Sequence, residues 1–291
     1  MKKRNLPANG ILLMLLSAFF FAGKSALVKL AGEMPSIEKT FLYSTFSLLF
    51  TLLLTCKKHI PCQFPTQRRT ISLLFLRAVL GAIGIFCNFH NIDHIPLSDA
   101  NMLAKTTPFF TILFSALFLH EKPSRFEMGC VTIALCGCLF VLRPSLSMAT
   151  IASIAFFGTV AQGLAHTVLR ALKRDHTVPN EWIVLFYSAL TMLFTAPIAI
   201  MNWEKISSIQ LLLLGLAGIF GAGAQLALTG AYTYGAAKEL SIYSYAQIVF
   251  SALLGFILFD QTPDSWSFYG YLIIFGAAFM MYMKQKKGSS P

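Results

Sequence analysis

A chain of 291 residues that is 56% hydrophobic and only 12% charged, with a mean hydropathy of +0.67, is too apolar to cover a water-facing surface and needs lipid around it. The net charge of +11 raises the question of nucleic acid. However, the 23 basic residues sit mostly in short connecting segments without an RNA-binding or helix-turn-helix pattern, so no nucleic acid partner is expected. The six cysteines, Cys56, Cys62, Cys87, Cys130, Cys136 and Cys138, form no CxxC pair, and neither a disulfide, a metal site nor a cofactor is expected.

The apolar residues arrive in blocks of roughly 20, the length a helix needs to cross a hydrocarbon core of about 30 Å. In chain order the predicted helices are 10–30, 40–56, 71–91, 97–119 and 126–142, then 150–172, 182–201, 209–234, 240–259 and 266–283. Lys2, Lys3 and Arg4 ahead of the first block resemble the start of a signal peptide. The apolar run continues past Lys24 to Leu30 without a small-x-small cleavage site, so the first helix is expected to be retained.

Orientation follows from the cytoplasmic excess of basic residues in short loops. With the N-terminus inside, one side collects Lys2, Lys3, Arg4, Lys57, Lys58, Arg68, Arg69, Lys122, Arg125, Arg170, Lys173, Arg174, Lys238, Lys284, Lys286 and Lys287. The other holds Lys29, Lys39, Arg143 and Lys205, which places both termini in the cytoplasm. Segment 95–123, IPLSDANMLAKTTPFFTILFSALFLHEKP, lies over 235–263, GAAKELSIYSYAQIVFSALLGFILFDQTP, at a constant offset of 140. Five helices per half is an odd number, so the second copy enters from the opposite side. The expected fold is an all-α integral membrane protein of ten transmembrane helices in two inverted five-helix repeats, 1–145 and 146–291, with a site between them.

Three stretches carry a resemblance to a known family: PFFTILFSALFLHEK (108–122), VLRP (141–144) and AQLALTGAYTYGAAKELSIYSYAQIVFSALLGFILFDQTPD (224–264). In these the chain resembles the EamA-like transporters of the drug/metabolite transporter superfamily. The resemblance implies a carrier of small molecules through a central cavity, by alternating access, in the cell (inner) membrane. Two positions depart from the family pattern. Ile248 stands in the ninth helix where many relatives carry the counterpart of Pro108, and Asp260-Gln261 stands where a Glu is common.

Charge near the bilayer centre is costly, about 2.5–3.5 kcal/mol on insertion scales, so Lys24, Arg77 and Lys105 are candidate substrate-binding residues, with snorkelling as the alternative. Lys105 shares a face with Asn101 and Pro108. Pro108 cannot donate to the carbonyl of Ala104, which predicts a kinked turn, a hinge and a free backbone acceptor. The third helix aligns Arg77, Gly81, Gly84, Asn88 and Asn91, and the eighth aligns Gly218, Gly221, Gln225, Thr229 and Tyr232. The glycines suit close helix packing, and Asn88, Gln225 and Tyr232 suit a cavity wall. Gln162 and His166 share a face of the sixth helix, and Tyr243, Tyr245 and Gln247 cluster in the ninth.

All three charged residues read within these spans are basic and none acidic, so a cavity holding them favours an organic anion or zwitterion. No intramembrane carboxylate relay, P-loop or catalytic motif is read, which points to a secondary carrier and away from an ATP-driven pump or an enzyme. The rival readings are efflux of lipophilic or cationic drugs, suggested by 27 Phe and 11 Met, and an intramembrane enzyme or receptor. Gly129, Gly137, Gly270 and Gly276 on the fifth and tenth helices offer a face for a homodimer.

Overall fold

The computed structural model describes residues 8–57, 67–120, 123–142, 149–174, 178–201, 206–234 and 241–288. Every regular element among them is helical: α1 (Ala8–Leu30), α2 (Ser36–Lys57), α3 (Arg68–His94), α4 (Leu97–Ala104), α5 (Thr107–Phe118), α6 (Arg125–Leu142), α7 (Ala149–Arg174), α8 (Asn180–Met201), α9 (Ser208–Tyr234), a 3-10 turn (Ser241–Tyr245), α10 (Ala246–Phe259) and α11 (Ser265–Gly288). Six of these are long and apolar enough to cross a membrane: α1, α2, α3, α8, α9 and α11. Shorter apolar stretches run through 153–169 and 243–259. Outward-facing side chains match a lipid solvent: Leu53, Met201 and Ile209 are 70%, 84% and 70% exposed, which bulk water would penalise.

Local chemistry sets the helix ends. Gly32 takes a φ of 74° and closes α1, with Ala31 and Gly32 donating back to Leu27 and Lys29. Ile95 is extended ahead of Pro96, which ends α3. Ser124 with Glu127 and Ser207 with Gln210 form capping boxes that start α6 and α9.

The fourth predicted helix is two helices. The Ala104 carbonyl has no donor at Pro108, and the ladder tightens over Lys105 and Thr106, where Thr106 donates to Leu103 and Phe109 donates to Thr106, both at 3.0 Å. The ninth predicted helix likewise opens as a 3-10 turn before α10, with Ile248 in place of a proline.

Packing pairs α1 with α9 and α3 with α7; α2 lies on α8 and α9, and α3 on α8. Then α1 lies on α10, α5 on α7, and α6 on α11. Gly137 and Gly270 bring α6 and α11 together within the chain, since a Cβ on either would come within 3.2 Å or 2.9 Å of the other's carbonyl oxygen. At Gly218 a Cβ would meet the Tyr43 carbonyl oxygen at 2.8 Å and the Ser47 nitrogen at 2.9 Å. Backbone cannot yield as a side chain can, so Gly218→Ala is expected to destabilise the protein by about 1–3 kcal/mol. Gly223→Ala, whose Cβ would meet only Phe20 at 3.6 Å, is expected to be close to neutral. Thermal unfolding of the two variants side by side checks this.

Candidate functional site

The inner face of α3 organises the site. Its predicted face of Arg77, Gly81, Gly84 and Asn88 turns toward the neighbouring helices, and each glycine leaves room for a particular side chain. The Arg77 guanidinium and the Tyr187 ring of α8 occupy the space over Gly81, and the Gln162 side chain of α7 occupies the space over Gly84. Farther along α3, Lys24 of α1 donates to Asn88 Oδ1 at 3.4 Å, and its ammonium sits 5.3 Å from the Phe89 ring centroid and 6.0 Å from that of Tyr43. Lys24 is 6% exposed, so its charge stays among the helices and does not snorkel to the headgroups.

Arg77 is 9% exposed, with its guanidinium 5.1 Å from the Tyr187 ring centroid. Its Nε and Nη1 are buried without a hydrogen-bond partner. Those donors are costly to leave unmade, which leaves the guanidinium with bonding capacity for a ligand or water. His166, one turn along α7 from Gln162, keeps accessible surface while lying within electrostatic reach of both Arg77 and Lys105. Lys105 in turn feels the charge of Lys24. Three basic side chains and an imidazole from α1, α3, the α4–α5 break and α7 are therefore linked electrostatically in the order Lys24, Lys105, His166, Arg77.

The reading of the spans as free of carboxylates needs correction. Asp99 lies inside the fourth predicted helix, and Glu38 and Asp93 are helical too. Each described acidic residue, however, sits in a loop or in a terminal turn of a helix. Lys39, buried at 0% exposure, pairs with Asp93 at 2.6 Å, and Lys29 donates to the Ile92 and Ile95 carbonyls at 2.8 Å each. Lys29 and Lys39, counted as loop charges in the sequence, are thus built into the packed ends of α1, α2 and α3. Asp99 accepts from Ser267 at 3.1 Å and from the Tyr271 hydroxyl.

Asn101 is placed differently from Lys105. It is 1% exposed, accepts from Ser25 at 3.0 Å and from Gln247 Nε2 at 2.8 Å, and donates to the Leu97 carbonyl at 2.9 Å. Asn101 and Gln247 thus form a buried joint between α1, α4 and α10. Tyr245 donates its hydroxyl to the Lys105 carbonyl at 3.4 Å, which uses an acceptor released by the break before Pro108. Tyr243 and Tyr245 also line an apolar cavity of about 560 Å³ with Leu15, Met102, Ile248 and Phe275. Gln225 is half-buried on the face of α9 whose Gly221 meets the Tyr43 ring. The side chains of Tyr232 and Pro108 lie outside the described residues.

Tyr43, Tyr187 and the Ser47–Ser188 pair were not singled out in the sequence. Ser47 and Ser188 meet at 3.3 Å between α2 and α8. The signal was present as matching hydroxyl stripes, Ser47, Thr51 and Thr55 against Ser188, Thr191 and Thr195, at helical spacing in both halves.

The protein matches a pseudopaline exporter, CntI, of Pseudomonas aeruginosa at 30% identity, over 98% of this chain and 99% of that one. It also matches mouse solute carrier family 35 member G1 at 26% identity, over 94% and 78%. An S-adenosylmethionine uptake transporter of Rickettsia felis is 25% identical over 74% of this chain and 73% of that one. A crystal structure 18% identical in sequence superposes with a TM-score of 0.70 over 95% of this chain and 98% of its own, which shows a shared fold. The family model described as the EamA-like transporter family matches twice in tandem, over residues 8–143 and 146–283, and the chain belongs to that family of multi-pass membrane transporters.

Proposed function

We propose that the protein is a secondary carrier of a small organic anion or zwitterion, bound between two inverted five-helix repeats and released by alternating access. The observation that carries this reading is the electrostatic linkage of Lys24, Lys105, His166 and Arg77 across α1, the α4–α5 break, α7 and α3, with the described carboxylates kept to helix ends and loops. Asn88 and Gln162 complete the wall, Asn101, Gln247 and Tyr245 join the halves beside it, and the Pro108 turn is the hinge. The repeat reading, 1–145 with 146–291, is supported by packing that keeps its pattern when the halves are exchanged. In that exchange α1 on α9 corresponds to α7 on α3, and α1 on α10 corresponds to α7 on α5. Residues near such an axis touch their own counterparts, as Lys105 does Tyr245. The basic-residue bias supports an inner-membrane orientation with both termini cytoplasmic.

One relative is named an exporter and another an uptake transporter, so likeness within the family does not set direction. The test is flux of anionic, zwitterionic and cationic solutes in proteoliposomes holding the full chain. Anion flux is expected, with Lys105→Ala lowering it by roughly tenfold or more and Lys105→Arg retaining part of it. Unchanged transport in both variants would sink the anionic reading. The apolar cavity beside Tyr243 and Tyr245 favours a second reading, efflux of lipophilic solutes, which the same panel would reveal as flux of uncharged compounds.

A further inference from the structure

Arg77 and Lys24 mark two ends of one electropositive track. The Arg77 guanidinium lies over Gly81 of α3, whereas the Lys24 ammonium reaches Asn88 on the same helix. The positions they lie against, Gly81 and Asn88, are seven residues apart, or about 10 Å along α3 at 1.5 Å per residue. Between them, Gln162 fills the space over Gly84, while His166 feels the charges of Arg77 and Lys105, and Lys105 that of Lys24. At the first end, the Arg77 donors are buried and unpartnered. At the second, the hydrogen bond from Lys24 to Asn88 is long, at 3.4 Å.

We infer that the substrate is an elongated molecule with two separated carboxylates, one taken by Arg77 over the Tyr187 ring and the other by Lys24 with Asn88. This rests on the anion-carrier reading above and narrows it. A guanidinium stacked on an aromatic ring presents a planar fork suited to bidentate capture of a carboxylate, whereas an ammonium is a point charge that accepts a carboxylate from several directions. Subtracting a hydrogen bond of about 2.8 Å at each end leaves about 4–5 Å between the two carboxylates, the reach of a chain with about three intervening carbons. The Gln162 side chain, packed over Gly84, lies at the level of the middle of such a chain.

Glutarate, glutaramate and glutaramide share one skeleton and carry two, one and no carboxylates, so they separate charge count from size. Thermal stabilisation of the purified full-length protein by each is the measurement, at constant ionic strength. Glutarate is expected to act at concentrations about tenfold or more below glutaramate, with glutaramide inactive. Arg77→Gln and Lys24→Gln are each expected to bring glutarate down to the glutaramate level. Arg77→Lys, which keeps charge and loses the fork, is expected to preserve part of the difference and stands in where Arg77→Gln fails to fold. Equal potency of glutarate and glutaramate on the native protein would overturn the two-carboxylate assignment and leave the anion reading standing. Stabilisation by neither would overturn both. A glutarate advantage undiminished in Arg77→Gln would overturn the assignment of Arg77.

Discussion

Lys39→Met is expected to destabilise the folded protein by about 3–5 kcal/mol, because it strands the Asp93 carboxylate in a packed helix end. Lys39 has no exposed surface, and its ammonium meets Asp93 Oδ1 at 2.6 Å. Lys29 lies close enough to act on Asp93 electrostatically, but it is already donating to the Ile92 and Ile95 carbonyls at the C-terminus of α3. It therefore offsets part of the loss, which favours the lower half of that range. The double variant Lys39→Met with Asp93→Leu removes both charges and is expected to recover most of the stability, since a buried pair replaced by apolar groups is often neutral. Unfolding of the three variants and the native protein in one detergent gives the comparison. A double variant as unstable as the single one would show that the ion pair is not the source of the effect.

The all-helical, membrane-spanning character of the fold was legible in the sequence because lipid imposes a length and an apolarity on each span that few other environments demand. The break before Pro108 was legible for a local reason, the missing amide hydrogen. What was not legible depended on tertiary partners. Nothing local distinguishes Lys105, open to the cation group, from Asn101 one turn earlier, locked between Ser25, Gln247 and Leu97. Periodicity puts both on one face, and the side chains of α1 and α10 decide which is free. Lys29 and Lys39 read as loop charges because they lie near predicted ends, yet Asp93 and the α3 carbonyls draw them into the structure. Tyr43 and Tyr187 escaped notice because an aromatic residue in an apolar span carries no signal of its own. Only a cation placed over the ring gives it a role, as Lys24 and Arg77 do here.

The same dependence on partners makes Asp99 the second sensitive position. The eight-residue helix α4 is pinned to the second half of the chain at both ends. Its first turn holds Asp99 against Ser267 and Tyr271, and its Leu97 amide donates to Gln261 Oε1 at 3.0 Å. Its last residue is followed by Lys105, whose carbonyl accepts from Tyr245. Asp99→Leu leaves two hydroxyls in a low-dielectric setting without this acceptor, and a loss of about 2–4 kcal/mol is expected. Asp99→Asn keeps one carbonyl oxygen in place and is expected to lose less than half of that. Because α4 positions Lys105, anion flux in Asp99→Leu is expected to fall by roughly tenfold even at temperatures where the protein remains folded. Tyr271→Phe, which removes one donor and leaves the carboxylate bonded to Ser267, is expected to reduce flux far less. Flux per folded protein separates the two contributions, and an Asp99→Leu variant that transports at the native rate would show that α4 does not set the position of Lys105.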